Sequence, residues 1–128
     1  MAGGYSKGKC GCCTLDKTKR MAIYHKYNGH CAYCGKKIKY HEMQVDHINA
    51  KALGGTDDIG NLNPACRRCN HYKSTMDIDT FRHAIAMIPV KLMRDSYIFK
   101  VGYDFGFWGN RKRKVKFYFE KFHNNNAK

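Results

Sequence analysis

Two pairs of cysteines constrain this chain more than any other feature of its sequence. Cys31 and Cys34 form one CxxC pair, and Cys66 and Cys69 form a second, with residues 35–65 between them. Two such turns bring four thiolates to the corners of a tetrahedron around one zinc ion. Reduced buried thiols or a redox-active CxxC are the alternative. Because cysteine then fills all four ligand positions, such a zinc ion would be a structural staple with no open site.

The stretch between the two pairs is longer than the loop of a minimal zinc ribbon, so a complete substructure must lie within it. The chain has 128 residues, a length that fits one domain with tails. Apolar residues make up 43% of the chain, which allows a core of modest size. A metal staple would add stability that a small core supplies poorly.

The charge of the chain indicates an anionic partner. Lys and Arg total 24 against 10 acidic residues, which gives a formal net charge of +14. Nucleic acid is the commonest partner of so basic a chain. A membrane surface is the other candidate, but no long basic amphipathic helix supports it. The longest apolar run, residues 84–90, is too short to span a bilayer.

The cysteine content and the N-terminus predict a cytoplasmic protein. The first residues contain no apolar segment typical of a secretory signal. Seven cysteines in a chain that is not exported indicate metal ligands or free thiols instead of disulfides. Cys10, Cys12 and Cys13 match no standard ligand spacing, so we interpret them as thiols of a tail. A second metal bound with His25 or His30 is the alternative.

Composition divides the chain into three segments. Residues 1–14 are rich in Gly, Lys and Cys and are predicted to be a flexible tail. Residues 15–88 are predicted to form the main domain, with its core at residues 31–75. Residues 89–128 form a basic, aromatic extension in which residues 114–120 alternate as a half-buried strand would.

Periodicity and capping signals predict the elements of the main domain. They are a helix over residues 17–28 behind an Asp16 N-cap, strands within residues 42–49 and 62–66, a helix over residues 67–75, and a helix from residue 77 or 79 to residue 88 that Pro89 stops.

The stretch VDHINAKALGGTDDIGNLNPACRRCNHYKS resembles the HNH nuclease family, also called ββα-metal or His-Me finger nucleases. The similarity covers about residues 31–75, with both cysteine pairs included. It implies an α+β fold in which a small ββα-metal core is stapled by a four-cysteine zinc site. The predicted flanking helices and the basic, aromatic β-like C-terminal segment lie outside the resemblance and complete the predicted fold.

The resemblance assigns roles to four residues of the motif. It implies that His47 is the general base and that Asp46 binds the catalytic divalent ion. It implies that Asn61 holds the loop that aims His47, and that Asn70 is the second protein ligand of the ion. Many family members have histidine at the position of Asn70, and an amide oxygen favours Mg²⁺ or Mn²⁺ over softer ions.

The chemistry of phosphodiester hydrolysis agrees with these roles. The reaction needs a deprotonated water, neutralised phosphoryl oxygens and help for the leaving alkoxide. A neutral histidine accepts a proton near pH 7, and one hard cation can bind the phosphate oxygens. Each residue alone also has a plainer interpretation: Asp46 as a turn residue, His47 in the core, Asn61 in a loop and Asn70 as a helix cap.

Basic side chains near the motif and in the extension are candidates for contacts with nucleic-acid phosphates. A solvated charged face is the alternative for each of them. The candidates are Arg67, Arg68, Lys73, Arg111, Lys112, Arg113, Lys114 and Lys116.

The sequence thus predicts a zinc-stapled endonuclease that cleaves DNA, most simply double-stranded DNA, with Mg²⁺ or Mn²⁺. Small proteins with this motif, by family resemblance, occur in phages, in mobile elements, in restriction and in repair. Two other interpretations stay open: a non-catalytic, zinc-dependent module that binds nucleic acid, and an interaction domain for another acidic partner.

Overall fold

The computed structural model describes residues 15–109 and 114–126, with side chains described as far as residue 122. These residues form an α+β protein with a two-stranded sheet and six α-helices. Their contacts divide them into two compact units: the described parts of Met1–Ile78 and Phe117–Lys128, and those of Asp79–Lys116. None of the described helices is long and apolar enough to cross a membrane.

Helix α1 (Lys17–His25) opens the first unit. Asp16 caps it as predicted, because its Oδ1 accepts a hydrogen bond from the backbone N–H of Lys19 at 2.7 Å. The helix ends before the predicted residue 28, since the chain turns into positive φ angles at Asn28 and Gly29. Ile23 anchors the helix in the core with no exposed surface.

The two strands and the helix after them carry the motif. Strand β1 (Gln44–His47) pairs antiparallel with β2 (Leu62–Ala65), so Asp46 lies opposite Asn63. Helix α2 (Arg67–Lys73) follows β2 directly. This order, strand, loop, strand and helix, is the predicted ββα arrangement.

Helix α3 (Ile78–Ala86) begins at the last residue of the first unit and continues in the second, which also holds α4 (Ile88–Asp95) and α5 (Tyr97–Asp104). Pro89 was predicted to stop a helix at residue 88. That helix, α3, ends earlier, at Ala86, and a new helix begins at Ile88. Pro89 lies in the first turn of α4, where its missing N–H would have no partner in any case. Trp108 packs on Phe99 with ring centroids 4.9 Å apart, whereas Phe105 and Phe107 point into solvent.

The predicted C-terminal strand is a helix in the structure. Residues 114–117 have no regular structure, and α6 (Tyr118–Asn126) follows them. The Glu120 carboxylate accepts the N–H of Phe117 at 2.8 Å, which is a helix-start contact. The N–H groups of Tyr118 and Phe119 donate to the first cysteine turn instead of to a neighbouring strand. Residues 111–113 lie outside the described part of the chain.

Phe117 joins this C-terminal segment to the core. It is 3% exposed and meets the ring of Tyr33 edge-on, with centroids 5.4 Å apart. We expect Phe117→Ala to lower the free energy of unfolding by about 3–5 kcal/mol, because it leaves a cavity. Urea unfolding at constant metal concentration measures the change. Phe105→Ala removes the same atoms from an exposed site and should change stability by less than about 0.5 kcal/mol; equal losses would contradict the packing described here.

Candidate active site

The four predicted metal-ligand cysteines come together in the structure. The sulfur atoms of Cys31, Cys34, Cys66 and Cys69 all lie within 4.8 Å of one another. The Sγ atoms of Cys34 and Cys66 are 3.9 Å apart. Tetrahedral zinc with Zn–S bonds of about 2.3 Å requires sulfurs roughly 3.8 Å apart. The cluster therefore has the composition and the size to hold one structural zinc ion.

Backbone geometry shapes the first cysteine turn. Gly35 has φ +82°, a conformation that favours glycine, and its N–H donates to the carbonyl of Cys31 at 3.0 Å. A β-carbon at Gly35 would also lie 2.9 Å from the ring of Tyr118. The N–H groups of Tyr33 and Cys69 point at the sulfurs of Cys31 and Cys66, each at 3.4 Å. Such N–H groups stabilise thiolates, the form that binds metal.

Hydrogen bonds between the thiols shift their pKa values in opposite directions. A hydrogen bond from the Cys69 side chain lowers the pKa of the Cys31 thiol to about 4. The same hydrogen bond raises the pKa of Cys69, and burial raises the pKa of Cys34. Zinc binds thiolates, so an ion at this cluster would displace the thiol protons.

Asp46 is buried at the end of β1 and is 4% exposed. Its Oδ2 accepts a hydrogen bond from the Tyr33 hydroxyl at 2.5 Å and lies 3.1 Å from Nζ of Lys73. Its Oδ1 has only a longer contact, 3.5 Å, with the same ammonium. Burial raises the pKa of Asp46, while Tyr33 and Lys73 oppose that rise. One carboxylate oxygen is therefore fixed, and the other keeps most of its capacity to accept a ligand.

Lys73 occupies a different place from the one predicted. It has no exposed surface, so the structure contradicts its assignment as a nucleic-acid contact. Besides Asp46, its ammonium meets the carbonyls of His47 at 2.9 Å and Ile48 at 3.4 Å. These bonds tie α2 to the chain where β1 ends. Lys73 thus holds the bend at residues 48–49 that follows β1.

His47 is the last residue of β1, and its side chain is 10% exposed. Its ring nitrogen Nε2 lies 2.8 Å from Oδ1 of Asp57. Asp57 lies in the loop between the strands, and its other oxygen is 3.0 Å from Nζ of Lys51. The ring that was predicted to act as a base is thus anchored by one nitrogen.

Asn61 closes the loop between the strands. Its Oδ1 accepts the N–H of Asn49 at 2.9 Å, and its Nδ2 donates to the carbonyls of Asn49 at 3.1 Å and Thr56 at 2.8 Å. The backbone N–H of Ile48 also donates to the carbonyl of Asn61 at 2.8 Å. Asn61 therefore clamps the chain that follows His47 without a hydrogen bond to the imidazole ring.

Asn70 lies one helical turn before Lys73 and is half-buried. Residues three apart share a helix face, so Asn70 is on the side of α2 that meets β1 at Asp46. Its side-chain amide makes no hydrogen bond within the described part of the chain, which leaves its oxygen available to a ligand. The neighbouring Arg67 and Arg68 are exposed.

Two further residues of the site were missed from the sequence. Tyr33 lies inside the first CxxC pair, where the sequence analysis considered only the cysteines. Its hydroxyl nevertheless fixes the side chain of Asp46. Asp57 belongs to a TDD run that reads as an ordinary loop. A buried carboxylate and an ordered imidazole each need a hydrogen-bond partner. A search of the sequence for partners of Asp46 and His47 could have found Tyr33 and Asp57.

The region that carries this site is similar to known proteins. Residues 31–75 match the model of the HNH endonuclease family. The chain is 49% identical over 45 residues to the CRISPR-associated endonuclease Cas9 of Actinomyces naeslundii, a match that covers 34% of this chain and 4% of that protein. It is 41% identical over 55 residues to the CRISPR-associated endonuclease Cas9 of Corynebacterium diphtheriae, covering 42% of this chain and 5% of that protein.

The crystal structure of the Type II-C Cas9 enzyme from Actinomyces naeslundii aligns with 52% of this chain and 8% of its own, at 34% identity and a TM-score of 0.48. The chain thus spans 4–5% of the length of the two curated relatives. Within this chain, the match to the HNH endonuclease family covers residues 31–75.

The buried pair of Lys73 and Asp46 yields a stability prediction. Lys73→Met keeps the volume but leaves the carboxylate unpaired, so we expect the free energy of unfolding at pH 7 to fall by about 3–5 kcal/mol. The folded-state pKa of Asp46 would then rise further above its unfolded value. The loss should therefore be smallest near pH 4, where the carboxyl is protonated, and should grow as the pH rises.

Denaturant unfolding at several pH values measures this change. Lys116→Met, at an exposed lysine, is the matched control and should leave stability nearly unchanged. A loss for Lys73→Met that is the same at pH 4 and pH 7 would contradict the ion-pair explanation.

Proposed function

We propose that this chain is a metal-dependent endonuclease that hydrolyses phosphodiester bonds in DNA. One observation carries the proposal: a buried carboxylate with one available oxygen and an anchored imidazole occupy successive positions at the end of β1. The match of residues 31–75 to the HNH endonuclease family supports it. Both curated relatives are themselves described as endonucleases.

Asp46 and Asn70 would hold the catalytic divalent ion. One carboxylate and one amide oxygen form a hard donor set, which fits Mg²⁺ or Mn²⁺ with the remaining positions left to water and phosphate. Tyr33 and Lys73 hold Oδ2 of Asp46, so Oδ1 is the oxygen offered to the ion. When bound, the ion would neutralise charge on the phosphoryl oxygens.

His47 would take the proton of the attacking water. A neutral imidazole has one nitrogen that accepts a proton, and its low exposure keeps the ring in one place. Asn61 would support this step through the loop, because its three hydrogen bonds fix the segment that follows His47. The four cysteines would bind zinc and leave the chemistry to the other residues.

Exposed cations would bind the phosphate backbone. Arg67 and Arg68 lie at the start of α2, three positions or fewer before Asn70. In the extension, Lys114 and Lys116 are exposed, and the sequence adds Arg111, Lys112 and Arg113 before them. Such contacts supply affinity without reading the base sequence, so we expect binding that weakens steeply with salt.

A non-catalytic module that binds nucleic acid is the second candidate. One observation favours it: the Lys73 ammonium already balances the charge of Asp46, so the carboxylate needs no further cation for stability. Binding and cleavage must therefore be measured separately.

Plasmid cleavage with Mg²⁺ or Mn²⁺ tests the proposal. We expect His47→Ala to lower the rate by about 100-fold or more, since a positioned general base contributes that much. Asn70→Ala should also impair cleavage while zinc content and fold are retained. His71→Ala is the matched control, because His71 is exposed and follows Asn70 in the same helix; it should cleave at nearly the wild-type rate.

Gel-shift binding by the same proteins separates the two candidates. Equal binding by all variants, with no cleavage under any divalent ion, would establish the non-catalytic module. Weak binding that ignores salt would exclude both candidates.

A further inference from the structure

Asp57 is the meeting point of three polar contacts in the loop between β1 and β2. Its Oδ1 lies 2.8 Å from Nε2 of His47, and its Oδ2 lies 3.0 Å from Nζ of Lys51. Its backbone carbonyl accepts a hydrogen bond from the Lys19 ammonium. Both the side chain and the backbone of Asp57 are therefore held in place.

The contact with His47 determines where the imidazole proton lies. The hydrogen bond with His47, followed by the one with Lys51, lowers the pKa of Asp57 below its usual range, so the carboxyl is ionised at neutral pH. An ionised carboxylate can only accept hydrogen bonds. At 2.8 Å, Nε2 of His47 must therefore carry the proton. A neutral ring then has its lone pair on Nδ1.

We propose that Asp57 is the positioning residue of the proposed nuclease site: it selects the Nε2–H tautomer of His47 and fixes the ring plane so that Nδ1 is the base. The part that concerns hydrolysis rests on the proposed function. The part that concerns the tautomer stands on the geometry alone.

Two residues then orient the imidazole ring of His47, one directly and one through the loop. Asn61 holds the loop through Asn49 and Thr56. The loop presents Asp57, and Asp57 holds the ring. Among the described residues, Asp57 is the hydrogen-bond partner of the imidazole ring, and Asn61 acts on the ring through it.

The proton balance of the step is simple. Water gives one proton to Nδ1 of His47 while its oxygen forms a bond to phosphorus, and the bond from phosphorus to the leaving oxygen breaks. The leaving oxygen takes a proton from solvent water. His47 then carries protons on both nitrogens, and the Asp57 carboxylate faces a positive ring.

Nitrogen-15 NMR of the histidine rings tests the tautomer directly, on the full chain without DNA. Spectra at about pH 8.5, above the usual imidazole pKa near 6.5, report which nitrogen carries the proton; a His47→Ala spectrum identifies the signals. We expect Nε2–H in the wild type and a mixture of tautomers in Asp57→Ala. Asp58→Asn is the matched control, because Asp58 contacts Thr56, and it should leave the signals unchanged.

Asp57→Asn separates a tautomer role from simple packing. Lys51 only donates, so the new amide should turn its oxygen to Lys51 and its NH₂ to His47, which favours the wrong tautomer, Nδ1–H. We expect Asp57→Asn to reduce kcat as much as Asp57→Ala or more, with KM for DNA changed by less than about threefold. If Asp57 acted only by packing, kcat would be higher in Asp57→Asn than in Asp57→Ala, because asparagine has the same shape as aspartate.

The outcomes for the two proposals are distinct. If wild-type protein cleaves DNA and Asp57→Ala retains pure Nε2–H, the positioning role is overturned and the nuclease stands. If Asp57 controls the tautomer but the wild type cleaves nothing, the positioning of the ring is supported and the nuclease is overturned. Higher kcat in Asp57→Asn than in Asp57→Ala would also overturn the tautomer role.

Discussion

Four sulfur atoms hold the two ends of residues 31–69 together, and this closure determines where Tyr33 and the start of α2 lie. The first cysteine turn carries Tyr33, and Cys66 is the N-cap of α2. The cluster therefore fixes where α2 begins, and the helical repeat then fixes Asn70 and Lys73 on the face toward β1. A domain with so small a core depends on such a staple, because its two strands of four residues each bury little surface.

Inside that frame, a buried charge network selects the conformation at the end of β1. Burial of Asp46 and Lys73 costs solvation energy, which their contact and the Tyr33 hydroxyl offset. The same ammonium binds the carbonyls of the two residues that follow, so it stabilises the turn as well as the charge. As a result, one carboxylate oxygen serves the fold and the other is available to a ligand, while the loop holds His47 through Asp57.

Much of the site could be predicted because its signals are local. The cysteine spacing, the Asp16 cap and the strand around Val45 depend on neighbours within a few residues, and the structure confirms them. The errors concern residues whose partners are distant in sequence. Lys73 has the sequence context of a lysine on a helix surface, and only the packing of β1 against it shows that it is buried. The alternating aromatics near Phe117 predict a strand, and only the contact with Tyr33 shows how this segment packs. Asp57 was overlooked for the same reason. The roles of His47, Asn61 and Asn70 in a reaction stay predictions.

The most direct test of this arrangement is the position of the divalent ion. Anomalous diffraction from crystals of His47→Ala protein with Mn²⁺ and a short DNA duplex would locate the ion without cleavage. The arrangement predicts Mn²⁺ at roughly 2.1 Å from Oδ1 of Asp46 and from the amide oxygen of Asn70, with Lys73 still on Oδ2. Mn²⁺ bound elsewhere, or an Asp46 carboxylate that contacts only Tyr33 and Lys73 at saturating Mn²⁺, would contradict it.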